Sequence, residues 1–264
     1  MTTEAQPEPL VLRHDEDGIR TLTLNRPRQL NPLSSEMIDA LLAELTETGQ
    51  ETAVRVVILA GDGRAFSAGH DLRQMRSTPE QSYYEELFAR CAKLMLSVTT
   101  LPQPVIARVQ GIATAAGCQL VATCDLAVAT EEARFATSGI GVGLFCSTPS
   151  VALSRNVARK HAFEMLFTGE FIDAPTALAY GLVNRVVAAD DLDAATVELA
   201  RKISSKSATA VRSGKQMFYR QIGLATDAAY EYAADVMACD MMSDDAVEGI
   251  DAFLEKRKPT WRTS

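Results

Sequence analysis

The sequence predicts an α/β core followed by a mostly helical C-terminal region. Short β-branched runs at 54–60, 105–109 and 125–129 are separated by helix-compatible stretches. Such strand–helix–strand repetition implies parallel pairing with right-handed crossovers. Turn residues punctuate the runs: Gly61-Asp62-Gly63, Pro102 and Pro104, and Gly111. Beyond Pro149 strand signals nearly vanish, and from residue 206 onward the pattern is helical throughout.

In chain order, residues 19–24 alternate apolar side chains with Arg20, Thr21 and Thr23, which predicts a strand. Asn25-Arg26-Pro27 ends it, because proline cannot extend a ladder. Ser34 or Ser35 then caps a helix running through Leu45, with Met37, Leu41, Leu42 and Leu45 on one face. The run at 54–60 reads as a buried strand, 81–97 as a helix, and 105–109 as the next buried strand. Residues 115–123 have helix-forming composition without strand alternation, and 125–129 return to strand. Helices are expected at 149–158, 160–167, 174–180 and 190–204, with a short strand at 184–187. Three more are expected at 206–222, 226–242 and 244–257. There is no internal repeat and no low-complexity segment.

With 264 residues and 47% apolar side chains, the chain can bury a sizeable core. A net charge of −8 argues against a general nucleic-acid binder but leaves room for a local cationic cluster that holds an anionic ligand. The five cysteines (Cys91, Cys118, Cys124, Cys146, Cys239) are odd in number and lack C-x-x-C spacing. This predicts reduced thiols, with neither a disulfide framework nor a zinc site. The apolar stretch 104–129 contains Arg108, Gln110, Gln119 and Asp125, too polar for a membrane span. Residues 1–9 carry Glu4, Glu8 and two prolines, with no basic start and no apolar run. They predict a disordered tail rather than a targeting segment, and hence a cytoplasmic protein.

Four segments carry a family resemblance: Asn25-Arg26-Pro27-Arg28-Gln29-Leu30-Asn31-Pro32-Leu33-Ser34; Gly63-Arg64-Ala65-Phe66-Ser67-Ala68-Gly69-His70-Asp71-Leu72; Pro104 through Gly111, Ala115-Ala116-Gly117-Cys118-Gln119-Leu120 and Cys124-Asp125; and Phe253-Leu254-Glu255-Lys256-Arg257-Lys258-Pro259. In this order and spacing the sequence resembles the crotonase (enoyl-CoA hydratase/isomerase) superfamily over about residues 18–260. The resemblance implies a crotonase (ClpP-like) spiral of ββα units over 10–200 and a helical C-terminal trimerisation region over 201–264. It implies an acyl-CoA thioester as ligand, with coenzyme A arriving as part of the substrate rather than as a resident cofactor. No metal, nucleic acid or membrane partner is implied, and the assembly would be a homotrimer or a dimer of trimers.

Chemistry beside a thioester carbonyl develops an enolate-like oxyanion, which two preorganised backbone N–H donors stabilise more in the transition state than in the ground state. By resemblance the donors are the amides of Ala68 and Ala116, the latter near a helix N-terminus whose dipole adds positive potential. The family usually has glycine at the Ala116 position, and a positive φ there would strain alanine. The resemblance places Gly69, Asp71, Leu72, Gly139, Phe145 and Cys146 around the acyl group, with Asp71 mainly bracing its loop. Arg28 sits where family members often carry a basic residue, Arg64 and Arg73 flank the second motif, and Lys256 and Arg257 correspond to residues that reach a neighbouring subunit's CoA, with Phe253 a further substrate-binding candidate on the same segment.

Hydratases use two glutamates to activate water and protonate the α-carbon, and the aligned positions here are Gln119 and Gly139. Glutamine has no titratable proton, and each lost acid–base group typically removes about 10²–10⁴-fold in rate. Glu131 and Glu132 are expected on a solvated loop. The run Ser67-Ala68-Gly69-His70-Asp71 also resembles crotonase-fold decarboxylases of malonyl-type thioesters, a route needing an oxyanion site but no general base. There His70 would handle the carboxylate, although the decarboxylase has a tyrosine at the position of Cys146. The run 139–149 resembles the third enoyl-CoA hydratase domain-containing subgroup, which also departs from the two-glutamate pattern. It reads as a Gly/Ser/Thr/Pro loop, with Cys146, Ser147 and Thr148 at the acyl end. A non-catalytic acyl-CoA binder or assembly subunit is the third expectation.

Overall fold

The computed structural model describes residues 8–262. Most of the expected tail at 1–9 therefore lies outside the described residues, while Pro9 is tied down by its carbonyl, which accepts from Asn25 Nδ2 at 2.9 Å. The chain forms β1 (Val11–Glu16), β2 (Ile19–Leu24), α1 (Ser35–Gln50), β3 (Val56–Gly61), β4 (Ala65–Ser67), α2 (Leu72–Ser77), α3 (Gln81–Thr100), β5 (Val105–Val109), β6 (Ile112–Thr114) and α4 (Ala116–Thr123). It continues with β7 (Leu126–Thr130), β8 (Arg134–Ala136), α5 (Ser147–Asn156), α6 (Arg159–Thr168), β9 (Ile172–Asp173), α7 (Ala174–Tyr180), β10 (Arg185–Val187) and α8 (Leu192–Ser204). Three helices close it: α9 (Ala208–Gln221), α10 (Thr226–Asp240) and α11 (Asp244–Leu254).

Two sheets organise the core. The larger has strand order β1-β2-β3-β5-β7-β10, with β1 and β2 antiparallel and the other neighbours parallel. The smaller has order β4-β6-β8-β9, antiparallel only at β8–β9. The chain alternates between them: β3 leads to β4, β5 to β6 and β7 to β8, and a helix follows each pair. This is the ββα spiral expected from the sequence. Alternation fixes the layers. Val57 and Leu59 of β3 face the core with α1, α3 and α4, while Val56 and Ile58 face α8 on the opposite side.

Several local expectations need correction. The individual strands of the smaller sheet were not located from the residues, because they are two or three residues long and mostly buried, too short for any periodicity to register. β1 was missed because only Val11 of its six residues is buried, as befits an edge strand. The supposed loop at 139–149 is a 3₁₀ turn at Ser138–Val142 followed by α5 from Ser147. Pro149 is the third residue of that helix, a first-turn position where a missing N–H costs nothing. The domain boundary expected at residue 200 falls inside α8, which packs on the main sheet, so the separate helical layer begins after Ser204.

That layer is anchored to the core by a buried ion pair. Lys215 Nζ on α9 donates to Asp125 Oδ2 at 2.7 Å and to the carbonyls of Val98 and Gln103 at 2.9 Å each. Tyr219 O–H donates to Asp125 Oδ1 at 2.7 Å, and the Val105 amide donates to Oδ2 at 2.6 Å. Every polar atom of the pair is engaged, which burial of charge demands.

Candidate active site

β4 and β6 are parallel neighbours, with Ser67 paired to Ala113, so the loops that follow them leave the small sheet side by side. Two glycines let these loops touch. Gly69 has φ +88°, and a Cβ there would lie 2.9 Å from Ala115 Cβ and 3.0 Å from Ala116 N. A Cβ on Gly117 would lie 2.2 Å from Ser67 O. The Ser67 hydroxyl ties the first loop inward, donating to Asn31 O at 2.8 Å and accepting from the Gly69 amide at 3.2 Å.

This contact decides which amides are available, and it corrects one expectation. The Ala68 N–H donates to the carbonyl of Leu30 at 2.9 Å, so it is not open to a ligand. The next amide past Gly69, that of His70, has no protein acceptor among the described residues. The Ala116 amide likewise has none, being the first residue of α4 and so among the donors a helix leaves unpaired. The strained backbone also lies elsewhere than feared. Ala115, not Ala116, has positive φ (φ 50°, ψ −120°), and its own amide donates to Ala136 O at 3.0 Å. Thus the free amides of His70 and Ala116 flank the Gly69–Ala115 contact, above the N-terminus of α4.

The side chains around them are largely uncharged. His70 Nδ1 lies 3.2 Å from Leu33 O and must donate to it, since a carbonyl only accepts. Its ring meets Phe88 of α3 edge-on at 5.5 Å. Burial pushes its pKa below the ordinary value, so His70 is a neutral imidazole with a lone pair on Nε2, and Nε2 has no partner. A cationic His70 gripping a carboxylate, as the decarboxylase resemblance suggests, is not what this environment favours. Gln119 lies one turn beyond Ala116, buried, with Oε1 unpaired. Asp71 caps α2, accepting from the amides of Arg73 at 2.9 Å and Gln74 at 3.1 Å, which is the bracing role expected of it. Leu72 begins α2 and is exposed.

Gly139 is more than a missing carboxylate. A Cβ there would lie 2.6 Å from Leu144 O and 2.8 Å from Cys146 Sγ, so the following loop has closed over that position. Cys146 caps α5, and burial pushes its thiol pKa up, as it does for Cys118 to about 12. Neither is a ready nucleophile. Phe145 packs on Phe167 of α6 at 5.1 Å. Glu131 and Glu132 are exposed at a turn, as expected.

The remaining predicted residues sit apart. Arg28 is exposed without a side-chain partner among the described residues, in a turn whose Pro27 abuts Gly63. Arg28 and Arg64 thus belong to adjoining segments. Phe253 lies in the last turn of α11 and Lys256 just beyond it, and α11 packs on α9. Sequence reasoning missed the His70 amide. The signal was Gly69: a positive φ turns the next peptide away from the preceding one. A cleft of about 430 Å³ over α8, lined by Val197, Glu198, Arg201 and Lys202, was not anticipated either. Its charges are already paired, Lys202 with Glu198 and Arg201 with Asp17.

Comparison with known proteins agrees with the fold. The sequence profile of the enoyl-CoA hydratase/isomerase family matches residues 14–264. The chain is 45% identical to the mitochondrial enoyl-CoA hydratase domain-containing protein 3 of Homo sapiens over 258 residues, covering 98% of this chain and 85% of that protein. The Xenopus laevis counterpart is 46% identical over 263 residues, 100% of this chain and 90% of that protein. Among solved structures, the enoyl-CoA hydratase of Mycobacterium smegmatis superposes with a TM-score of 0.95 at 58% identity, covering 96% of this chain and 99% of that one. The human domain-containing protein 3 superposes with a TM-score of 0.93 at 44% identity, covering 96% and 100%.

Proposed function

Because the chain belongs to the enoyl-CoA hydratase/isomerase family, we propose that it is an acyl-CoA enzyme that holds a thioester carbonyl on the amides of His70 and Ala116 and stabilises the enolate formed there. The observation that carries this reading is the pair of unengaged N–H groups meeting across Gly69, one of them at a helix N-terminus. Donors that hold position without a ligand need no reorganisation as charge develops, and each is typically worth about 3–4 kcal/mol of barrier.

Two-glutamate hydration is not supported. Gln119 supplies hydrogen bonds but no proton, and the space for a second carboxylate is filled by Leu144 O and Cys146 Sγ. The reaction is therefore one that the oxyanion site drives without a strong paired acid and base. Exposed Arg28 and Arg64 suit the CoA phosphates, and Lys256 suits the CoA held by a neighbouring copy.

Assembly into a homotrimer or a dimer of trimers fits the surface. Met242 (84% exposed), Tyr230, Met237, Ile250 and Phe253 (82%) leave α10, α11 and the turn between them broadly apolar in the single chain. Acidic residues Asp227, Glu231, Asp235 and Asp240 accompany them on α10, whereas the apolar surface of α6 around Phe163 and Phe167 carries Arg159 and Lys160. Unlike faces that complement one another suit a closed ring.

Titration calorimetry with butyryl-CoA tests the site. Wild type binds, and Gly69→Ala, whose new methyl would press on Ala115 and Ala116, loses at least about tenfold in affinity while remaining folded by circular dichroism. Unchanged affinity removes the proposed site. Turnover of crotonyl-CoA above that of Gly69→Ala would separately refute the case against hydration.

A further inference from the structure

The loop that carries the free His70 amide, residues 67–70, leans on a neighbouring segment, residues 30–33. Ser67 Oγ donates to Asn31 O at 2.8 Å, and the Ala68 N–H donates to Leu30 O at 2.9 Å. The Leu33 N–H donates to Gly69 O at 2.7 Å, and Leu33 and His70 are parallel bridge partners. The contact at Gly69 sets a direction. In a trans peptide the C=O and the N–H point opposite ways, and no described peptide bond is cis. Holding Gly69 O against Leu33 therefore turns the other half of that peptide, the His70 N–H, away from Leu33.

Segment 30–33 is itself strained. Leu30 (φ 64°) and Asn31 (φ 51°) are successive non-glycine residues in the left-handed region, which L side chains disfavour. Such strain persists only where surrounding contacts over-determine it. Asn31 supplies those contacts. It is fully buried, and asparagine is among the few residues that tolerate this conformation. Its Oδ1 accepts from the Arg26 N–H at 2.8 Å, and its Nδ2 donates to Asp62 O and Ala65 O at 2.8 Å each. One side chain thus joins the turn after β2 to the connection between β3 and β4. Through its own carbonyl the same residue holds Ser67, at the start of the amide loop.

We propose that Asn31 is a positioning residue: it locks segment 30–33 in its left-handed conformation, and Leu33 in that segment aims the His70 N–H at the thioester carbonyl. The inference rests on the reading of the His70 and Ala116 amides as a thioester site. Asn31 touches no substrate and acts only through Leu33 and Gly69. A donor polarises a carbonyl fully only if its direction is fixed before charge develops. Without the Asn31 side chain, nothing holds residues 30 and 31 against their own preference, and the Leu33–Gly69 bond loses its fixed geometry. A thioester would still bind through its coenzyme A, but its carbonyl would be less polarised. That separates a positioning role from a merely structural one, which would lower stability and leave the bound carbonyl unchanged.

The test is isotope-edited infrared difference spectroscopy of the full-length protein saturated with butyryl-CoA labelled with carbon-13 at the thioester carbonyl. Hydrogen bonds from the two amides weaken the C=O bond, so in wild type its stretch is expected at lower frequency than in free ligand. Asn31→Gly accepts the left-handed conformation but no longer enforces it, and is expected to lose about half or more of that downshift at saturation. A second variant places an ester where the Pro32–Leu33 amide stands, which removes the N–H that holds Gly69 O and no side chain. It is expected to show the same loss. Full downshift in Asn31→Gly overturns the proposal and leaves Asn31 a structural residue. Because Asn31 acts through Leu33, full downshift in the ester variant overturns it as well, even if Asn31→Gly does not fold. Bound ligand without any downshift in wild type removes the thioester-carbonyl reading itself, and the proposal with it.

Discussion

At the residue scale, the site is built on small side chains and one strained backbone. Ala115 holds φ 50° and ψ −120°, a conformation glycine adopts without strain and alanine does not. Ala115→Gly is expected to raise stability by about 1 kcal/mol, read as a higher denaturant midpoint at unchanged slope. A lower midpoint would mean that the Ala115 methyl packs favourably enough to outweigh the strain. His70 gives the fold a pH signature. Burial holds its folded pKa below the ordinary 6.5, so the unfolded chain takes up a proton that the fold resists. Stability linked to this group is complete above that value and declines as pH falls through it toward the folded pKa. The melting temperature of wild type should therefore drop more between about pH 7.5 and pH 5.5 than that of His70→Asn, and equal slopes would place the titration elsewhere.

At the element scale, α9 is held to the core by Lys215 rather than by apolar burial. The helix buries only Ala208 and Lys215 of its own residues. Lys215→Met removes one partner of this largely buried pair, which typically costs about 3–5 kcal/mol. Lys215→Met with Asp125→Asn should recover part of that loss, and a double-mutant cycle from urea unfolding measures the difference. Burial lowers the Lys215 pKa while Asp125 opposes the shift, so the carboxylate is what keeps the amine charged. α4 shows the opposite economy. All eight of its residues are buried, and it is positioned by glycine contacts at its first turn rather than by charge.

For the whole molecule, exposed apolar side chains on α10, α11 and α6 are what the proposed assembly would cover. Sedimentation equilibrium is expected to give three chains or a multiple of three. Met242→Glu, placing a charge on the most exposed large apolar residue of α10–α11, should shift the distribution toward monomer. A wild-type monomer at micromolar concentration would sink this assembly. With Lys256 proposed to hold the CoA of a neighbouring copy, loss of assembly should also weaken CoA binding.

The sequence by itself determined the α/β spiral, the helical C-terminal layer, the cap at Ser34 and the positions of Gln119 and Gly139, because each is written in local periodicity or in residue identity at motif spacing. Only the tertiary structure decided which amides are free. Ala68 and His70 are two residues apart and look equivalent in sequence, yet the first is taken by the carbonyl of Leu30, which the fold brings from another segment. The closure of Leu144 and Cys146 over Gly139 and the missing partners of Gln119 and His70 are likewise long-range outcomes. A hydrogen bond belongs to two groups, and when the partners are far apart in the chain no local pattern records whether it forms.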